Sequence, residues 1–186
     1  MAESLMPLDI DANLSGIRTA ETIRVGLLGF GTVGESVARI LSAGHVSRVR
    51  LTHIFNRGVA KKRVDWVPAS VKWTDQVDEV LASEVDVVIE LVGGLHPAYE
   101  WVRAAVLAGK SVVTANKQLI AHHGTELIEL ARVRGREVRF EASVAGGIPV
   151  LRALHEGLAA DRLVEVRGIL NGTCAYILSR MQSAKL

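Results

Sequence analysis

Three glycines spaced as G-x-G-x-x-G (Gly29, Gly31 and Gly34) follow a short apolar run that starts at Ile23 and precede an amphipathic segment, 35–42. This order predicts a β-strand, a tight turn and an α-helix. In such a turn the first glycine permits the bend, the second lets a pyrophosphate approach the backbone, and the third lets helix and strand pack closely. Unpaired N–H groups at the start of the helix would hold the phosphates. Because a strand precedes the glycines and a helix follows them, the pattern favours a dinucleotide site over a merely structural turn.

Strand-like runs alternate with helical segments over most of the chain, an order that predicts an α/β doubly wound sheet of parallel strands. Pro97 is expected to open one helix and Gly109 to end it. Gly124 interrupts another helical stretch, so a separate helix is expected over 126–134. Asp75 is a candidate N-cap for the segment that follows it. The predicted strands after the first are 49–55, 71–74, 85–92, 111–114 and 137–140.

The second predicted strand ends in Asn56 and Arg57, where this fold meets the adenosine ribose of a dinucleotide. A carboxylate there would bond the 2′-hydroxyl and repel a 2′-phosphate, whereas an arginine attracts the phosphate. No carboxylate lies between Arg57 and Asp65, so the sequence favours NADP over NAD as the cofactor. A solvated basic loop is an equally good interpretation of the lysines that follow, but a weaker one for Arg57. The basic residues that follow are Lys61, Lys62 and Arg63.

Two further features lie at the carboxyl ends of predicted strands, the edge at which α/β sheets bind ligands. Gly93 and Gly94 end the buried run 85–92 and would let a ligand approach the backbone. Lys117 stands at the start of a helix, where the helix dipole disfavours a cation. A lysine in that position indicates an anionic or carbonyl-bearing neighbour, and a solvent-facing lysine is the alternative.

Composition argues against several classes of function. The net charge is only +2 and no basic run is interleaved with aromatic residues, which argues against nucleic-acid binding. No apolar run reaches the roughly 18 residues of a membrane span. The single cysteine, Cys174, excludes an internal disulfide and fits a reducing compartment. Residues 1–22 lack a secretory pattern, so we expect a flexible leader and a cytoplasmic protein, and the histidines lack metal-ligand spacing.

The pattern changes after residue 140. A glycine-rich turn over 141–149 leads into a predicted helix over 150–158. A strand is expected over 162–170, and a turn at 171–173 precedes a last helix over 174–181. One strand and two helices cannot build their own core, so this part is interpreted as a truncated second domain. The expected organisation is a leader over 1–22, a parallel-sheet domain over 23–142 and the beginning of an α+β domain over 143–186.

Taken together, these motifs resemble those of homoserine dehydrogenase. Each motif alone is shared by many dehydrogenases, but five of them in one order are highly specific. The resemblance covers almost everything from Ile23 to the C-terminus, and it departs at Cys174 and Ala175, where the family usually has threonine and asparagine. The matching segments are 29–34, 90–94, 114–117, 141–149, and 171–173 together with 176–178.

The resemblance implies a Rossmann-type dinucleotide-binding domain followed by the start of an α+β catalytic and dimerisation domain. The implied enzyme is an NAD(P)-dependent oxidoreductase that interconverts L-homoserine and L-aspartate 4-semialdehyde, toward threonine, isoleucine and methionine. NADP is the implied cofactor, with NAD as the alternative. A small amino-acid substrate and a homodimer of the full-length enzyme are implied, and no nucleic acid or membrane. The implied cofactor contacts are Gly29, Phe30, Gly31, Thr32, Val33, Gly34, Asn56, Arg57, Val92, Gly93 and Lys117.

The resemblance also implies roles for individual residues. Lys117 matches a family lysine at the cofactor and substrate, whose ammonium would stabilise and protonate the developing alkoxide. Glu141 and three backbone carbonyls match a site for a monovalent cation, Na⁺ or K⁺, and such a hard ion suits these oxygen ligands. The alternative for Glu141 is a helix-associated carboxylate satisfied by nearby N–H groups. The carbonyls are those of Val144, Gly146 and Ile148, and the implied substrate residues are Asn171, Gly172 and Thr173.

Two other functions stay open at this point. A thiolate of Cys174 at a helix start would make the protein a semialdehyde dehydrogenase that forms a thioester, although a lone cysteine is more often a small buried hydrophobe. A non-catalytic redox- or nucleotide-sensing module could use the same sheet. In the family, the main general-acid lysine lies downstream of the position of Leu186, so this chain alone is expected to bind NADP(H) weakly and to turn over little or not at all.

Overall fold

The computed structural model describes residues 22–44, 46–168 and 172–184. In this part of the chain the strands are β1 (Ile23–Leu28), β2 (Val49–Phe55), β3 (Lys72–Thr74), β4 (Val87–Glu90), β5 (Ser111–Thr114) and β6 (Val138–Arg139). They form one six-stranded sheet in the order β3-β2-β1-β4-β5-β6. Every neighbouring pair is parallel. The prediction of a doubly wound parallel α/β sheet is confirmed.

The helices of this part of the chain are α1 (Thr32–Ser42), α2 (Val59–Lys62), α3 (Val77–Leu81), α4 (Ala98–Leu107), α5 (Lys117–Val133), α6 (Val150–Arg152) and α7 (Gly172–Ala184). Helices α1 to α5 each connect two successive strands, and α6 and α7 follow β6. A single 3-10 turn occupies Glu141–Ser143, and α6 continues as a π-helical turn over Ala153–Gly157. Among the described residues, no helix combines the length and the apolar character that crossing a bilayer requires.

Two apolar clusters cover the two faces of the sheet. One contains Leu27 and Ile54 of the central strands together with Ala38 of α1. The other contains their chain neighbours Leu28 and Phe55 together with residues of α3, α4 and α5. Successive strand side chains point to opposite faces, so this division places α1 on one face and α3, α4 and α5 on the other. The core is mainly aliphatic because aromatic residues make up only 4% of the chain.

The order of the strands reverses between β1 and β4, since the chain moves outward from β1 to β3 and then returns to the other side of β1. At such a switch point the loops after the two strands diverge and leave a crevice at the carboxyl edge of the sheet. The loop after β1 contains the glycine motif, and the loop after β4 contains Gly93 and Gly94. The fold therefore places two of the sequence motifs at one crevice.

The bounds of several elements match the sequence prediction. β2 and β5 occupy the predicted residues 49–55 and 111–114. α4 begins directly after Pro97 and ends before Gly109, whose positive φ of 76° stops the helix as expected. Strand β4 is shorter than the predicted run 85–92, because only part of that apolar run pairs with both neighbouring strands.

Two local predictions are wrong. Gly124 does not interrupt a helix, because α5 runs without a break through it; the glycine is buried, and Leu119 and Leu127 pack in the core on either side. That packing outweighs the propensity cost of about 1 kcal/mol for a helical glycine. Asp75 does not cap α3, whose N-cap residue is Gln76 without a side-chain cap bond. The hydroxyl of Thr74 instead accepts the Gln76 N–H at 3.0 Å.

The strand expected over 162–170 is not formed in the described part of that range, residues 162–168. Residues 162–168 have no regular secondary structure and are exposed, because none of the described strands offers them a hydrogen-bonding partner. Residues 169–171 lie outside the described residues, as does the leader except for Thr22. The last helix is longer than predicted and begins at Gly172, so the expected turn at 172 and 173 is helix.

An ion pair between Arg24 of β1 and Asp86, just before β4, ties the two central strands together. Arg24 donates hydrogen bonds to both carboxylate oxygens at 3.0 Å, and its backbone N–H donates a third at 2.8 Å. These bonds hold the pKa of Asp86 below its ordinary value. The stabilisation is therefore present above the unfolded pKa of about 3.9 and is lost as the pH falls through the folded one.

Asp86→Asn is accordingly expected to lower the free energy of unfolding by about 1 kcal/mol at neutral pH, a modest figure because both side chains are about two-fifths exposed. The difference between parent and variant should shrink on acidification, as measured by urea unfolding from neutral to acidic pH. Glu137→Gln, in a more exposed pair with Arg139, is the matched control with a smaller effect. Parallel stability curves for parent and Asp86→Asn would contradict this role of Asp86.

Candidate nucleotide-binding site at the carboxyl edge of the sheet

The bend between β1 and α1 needs glycine at two positions for different reasons. Gly29 has a φ of 103°, and a Cβ there would lie 2.9 Å from the carbonyl oxygen of Leu91. A Cβ at Gly34 would overlap the carbonyl oxygen of Gly29, so α1 can approach the end of β1 only because this residue has no side chain. The first and third glycines of the motif therefore have the structural roles that the sequence predicts.

Gly31 differs from the other two glycines. It is exposed, its φ of −90° is open to any residue, and a Cβ there would meet no atom within 4 Å. Within the described part of the chain, nothing requires a glycine at this position. The requirement for glycine, if there is one, comes from something that approaches the bend from outside.

The start of α1 is arranged to accept an anion. Gly31 is the N-cap and supplies no side-chain acceptor, so the N–H groups of Thr32, Val33 and Gly34 have no intrahelical partner. Thr32 and Val33 are exposed, which leaves this helix end open to solvent. Backbone donors and the positive end of the helix dipole together attract a phosphate.

The loop after β4 closes against the glycine bend. The Leu91 N–H donates to the Leu28 carbonyl at 2.8 Å, which extends the pairing of β1 and β4 by one residue. Gly93 and Gly94 then turn with φ values of 74° and 73°, in a region that side-chain-bearing residues rarely adopt. The two loops therefore line the crevice at the switch point with backbone rather than bulky side chains.

Beneath these loops lies a buried carboxyl group, Glu90, at the end of β4. It is 0% exposed, and one of its oxygens, Oε1, accepts the N–H groups of Val92 at 2.8 Å and Gly93 at 3.1 Å. The other, Oε2, accepts the hydroxyl of Thr114, at the end of β5, at 2.5 Å. Glu90 belongs to the motif 90–94, but the sequence by itself indicates no role for it. The available signal was an acidic residue at the end of an otherwise apolar parallel strand.

Lys117 is the first residue of α5, as predicted, and it is exposed at the same edge of the sheet. Asn116 before it is the N-cap, whose Oδ1 accepts the Leu119 N–H at 3.1 Å. The Asn116 amide also donates to the Gly94 carbonyl at 2.6 Å, which links the helix start to the loop after β4. These bonds hold the backbone next to Lys117 beside that loop, so the lysine side chain extends from a fixed position.

At the end of β2, Asn56 and Arg57 lie on the side of the sheet expected for an adenosine ribose. The Asn56 N–H donates to the Thr74 carbonyl at 3.0 Å, which holds the strand end in place. Arg57 is exposed, and its guanidinium carbon lies 6.0 Å from the centroid of the Trp101 ring. Lys61, Lys62 and Arg63 are exposed as well, in and just after the short helix α2.

Phe30 lies within the glycine motif, but its side chain belongs to the core. It is 2% exposed and contacts the rings of Trp66 and Trp73, with centroid distances of 6.1 and 4.8 Å. A cofactor contact of Phe30 would therefore use its backbone. The side chain instead anchors the bend to the sheet.

The segment after β6 places Glu141 at the start of α6. Its two carboxylate oxygens accept the N–H groups of Leu151 at 2.9 Å and Arg152 at 3.0 Å, the arrangement of the helix-associated alternative. The Ile148 carbonyl accepts the Val150 N–H at 2.8 Å. Each of these oxygens keeps a further acceptor position, so one carboxylate and the carbonyls still suit a monovalent cation. The cation site remains a prediction.

The parallel sheet thus brings most of the predicted residues to one edge, because the carboxyl ends of all six described strands meet there. The exceptions lie in the last helix. Gly172 and Thr173 form its first turn, Cys174 is exposed in the same turn, and Asn171 lies outside the described residues. Within the described residues, no group of three or more histidine, cysteine, aspartate or glutamate side chains could hold a metal ion.

Comparison with known families gives two matches. A family model for "Homoserine dehydrogenase, NAD binding domain" matches residues 29–141, which begin at the first motif glycine. A second model, "Homoserine dehydrogenase", matches residues 149–186. These matches give no support to a thioester-forming dehydrogenase or a non-catalytic sensing module.

Individual relatives show the same similarity. The chain is 42% identical to a homoserine dehydrogenase of Bacillus subtilis in an alignment of 173 residues that covers 89% of this chain and 40% of the relative. It is 42% identical to one of Neisseria gonorrhoeae, covering 86% of the chain and 38% of the relative. The crystal structure of a Thiobacillus denitrificans homoserine dehydrogenase superposes with a TM-score of 0.79 at 40% identity, covering 88% of this chain and 39% of that one. The chain therefore spans about 40% of the length of these relatives.

Proposed function

The chain belongs to the homoserine dehydrogenase family, and from that membership we propose that its residues 23–142 form the domain that binds the nicotinamide cofactor of this enzyme. The observation that carries the proposal is the bend at Gly31, where the backbone is open to solvent, needs no glycine for the fold and faces the uncapped start of α1. A pyrophosphate is the ligand that uses such a bend. Residues 143–186 are proposed to begin the catalytic and dimerisation domain.

The reaction proposed for the whole enzyme is the interconversion of L-homoserine and L-aspartate 4-semialdehyde. A nicotinamide held in the crevice would supply or accept the hydride. Lys117, at the edge of the crevice, donates a hydrogen bond to the substrate oxygen and stabilises the developing alkoxide, while the family's main general-acid lysine, which follows the position of Leu186, protonates it. We also propose that the whole enzyme is a homodimer, acts on a small amino-acid substrate and is located in the cytoplasm. A monovalent cation would be held by Glu141 with carbonyls of the same segment, where its charge would order the chain between β6 and α6.

The proposed binding function is tested by titrating the 186-residue chain with NADPH and NADH and following nucleotide fluorescence. Saturable binding of either nucleotide, displaced by its oxidised form, is the expected result. A chain that is folded by circular dichroism but binds neither nucleotide at millimolar concentration would overturn the proposal.

The proposed reaction is tested in a chimera in which this chain replaces the matching part of the Bacillus subtilis relative. The chimera is expected to form NADPH or NADH when L-homoserine is added. A chimera that binds the nucleotide but oxidises no L-homoserine would contradict the assignment of the reaction to this chain.

NADP is proposed as the preferred cofactor because Arg57 follows β2 with no carboxylate between it and Asp65. Arg57→Ala is expected to weaken NADPH binding about tenfold, the loss of one charge-assisted hydrogen bond to the 2′-phosphate. NADH binding should hardly change, because NADH has no such phosphate. Arg134→Ala, an equal change of charge at the far end of α5, is the control. Equal losses for NADPH and NADH in Arg57→Ala would contradict this role.

A further inference from the structure

The strongest unexplained feature of the crevice is the burial of Glu90. A carboxyl group removed from water is costly unless hydrogen bonds replace the lost solvent. Here they do, since Glu90 accepts the backbone N–H groups of Val92 and Gly93 and the hydroxyl of Thr114. All three contacts use the carboxyl oxygens as acceptors. The position is sealed from solvent, which rules out direct contact with a ligand in the crevice.

The hydrogen bonds continue from β5 into the next loop. The hydroxyl of Thr114 also accepts the Asn116 N–H at 3.0 Å. The side chain of Asn116 in turn bonds the Gly94 carbonyl and the Leu119 N–H. These hydrogen bonds form a closed network. It connects Val92 and Gly93 through Glu90, Thr114 and Asn116 to Gly94, which belongs to the same loop after β4. It holds two of the loops at the carboxyl edge of the sheet, those after β4 and β5, which we call the 92–94 loop and the 115–117 loop.

We propose that Glu90 is a positioning residue that holds the 92–94 loop and the 115–117 loop in one joint geometry. It turns the N–H groups of Val92 and Gly93 inward, which leaves the crevice side of that loop without those two donors. Through Thr114 and Asn116 it also fixes the residue before Lys117. The coupling of the loops follows from the hydrogen bonds alone, and its consequence for nucleotide binding rests on the proposed function.

The coupling is tested by amide hydrogen exchange of the free chain, followed by NMR, in two variants. Thr114→Val removes the donor to Glu90 and the acceptor for Asn116 with little change of shape. Glu90→Gln can keep both bonds to the 92–94 loop through its amide oxygen, but its amide nitrogen faces Thr114 and deprives that hydroxyl of its acceptor. Exchange is compared with the Ile54 amide in β2, which reports global opening.

Each variant is expected to speed amide exchange in the loop that follows the other strand. A substitution at the end of β5 should affect the 92–94 loop, and one at the end of β4 should affect the 115–117 loop and the start of α5. Thr114→Val should speed exchange at Val92 and Gly93, and Glu90→Gln should speed it at Asn116 and Leu119, each by about tenfold, the size of one hydrogen bond. The matched control is Thr74→Val, at the end of β3, whose hydroxyl accepts the Gln76 N–H at the same 3.0 Å. It should affect Gln76 and neither crevice loop. Faster exchange confined to the loop that directly follows the mutated residue would overturn the proposal.

Nucleotide affinity supplies the second measurement, taken at a temperature where every variant is folded. Thr114→Val is expected to weaken NADPH binding about tenfold, whereas a merely structural loss would leave the affinity of the folded protein unchanged. Thr74→Val should bind like the parent. An unchanged affinity in Thr114→Val would overturn the positioning role. If the parent itself binds no nucleotide, the proposed function fails, and the exchange measurements still decide whether Glu90 couples the loops.

Discussion

Gly34→Ala is expected to lower the free energy of unfolding by about 3 kcal/mol, at the upper end of the range for overpacking. The added Cβ would overlap the carbonyl oxygen of Gly29, a backbone atom that cannot turn aside as a flexible side chain could. Either α1 moves away from β1 or the bend deforms. For a chain of this size the midpoint of thermal unfolding should fall by about 10 °C.

Thermal and urea unfolding followed by circular dichroism measure this effect. Gly157→Ala is the matched control, since it adds the same methyl group where a Cβ would meet no atom within 4 Å. Its stability should stay within about 1 kcal/mol of the parent. Should Gly34→Ala prove as stable as Gly157→Ala, the close approach of α1 to the end of β1 would be wrong.

Gly31→Ala is expected to have the opposite profile, a large loss of nucleotide affinity in a stable protein. Its φ of −90° accommodates alanine, and no atom of the chain lies within 4 Å of the added Cβ. The methyl group would occupy the space through which the pyrophosphate reaches the N–H groups of α1. We expect NADPH binding to weaken between about tenfold and a hundredfold, the size of one charge-assisted hydrogen bond to phosphate.

The measurement is a fluorescence titration with NADPH, beside an unfolding curve for the same preparation. Gly157→Ala again serves as the control and should bind like the parent. NADH should lose as much affinity as NADPH, because both carry the pyrophosphate; this separates Gly31→Ala from Arg57→Ala. Unchanged binding of both nucleotides would place the phosphates away from the bend.

Most predictions that depended on neighbouring residues in the sequence were accurate, although Asp75 does not cap α3. The glycine motif predicted a strand, a bend and a helix in the right order, and the β-branched runs predicted β2 and β5 to the residue. The other errors occurred where distant contacts override local preference. Gly124 lies within α5 because Leu119 and Leu127, before and after it in the same helix, are packed into the core, and the strand expected over 162–170 lacks a partner in the described part of the chain.

For the site, the sequence indicated which residues follow the strands but not how they are connected. It identified Gly29 to Gly34, Arg57, Gly93 and Lys117 as candidates, and the parallel sheet brings them to one edge. It did not reveal the role of Glu90, whose partner Thr114 is 24 residues away. It also did not show that the Phe30 side chain is buried against Trp66 and Trp73. Such pairings depend on the order of strands in the sheet.

By itself, the sequence determined the alternation of strands and helices, the bend at the first glycines and the family to which the chain belongs. The alternation and the bend follow from backbone freedom and apolar periodicity, which act within a few residues of each position, whereas the family is shown by the match of a family model to residues 29–141. Only the tertiary structure decided that one buried carboxyl group joins the loops after β4 and β5 and that the Glu141 carboxylate bonds the start of α6. The physical reason is that a buried polar group must find its partners in space, and the packing of the sheet determines which partners are within reach.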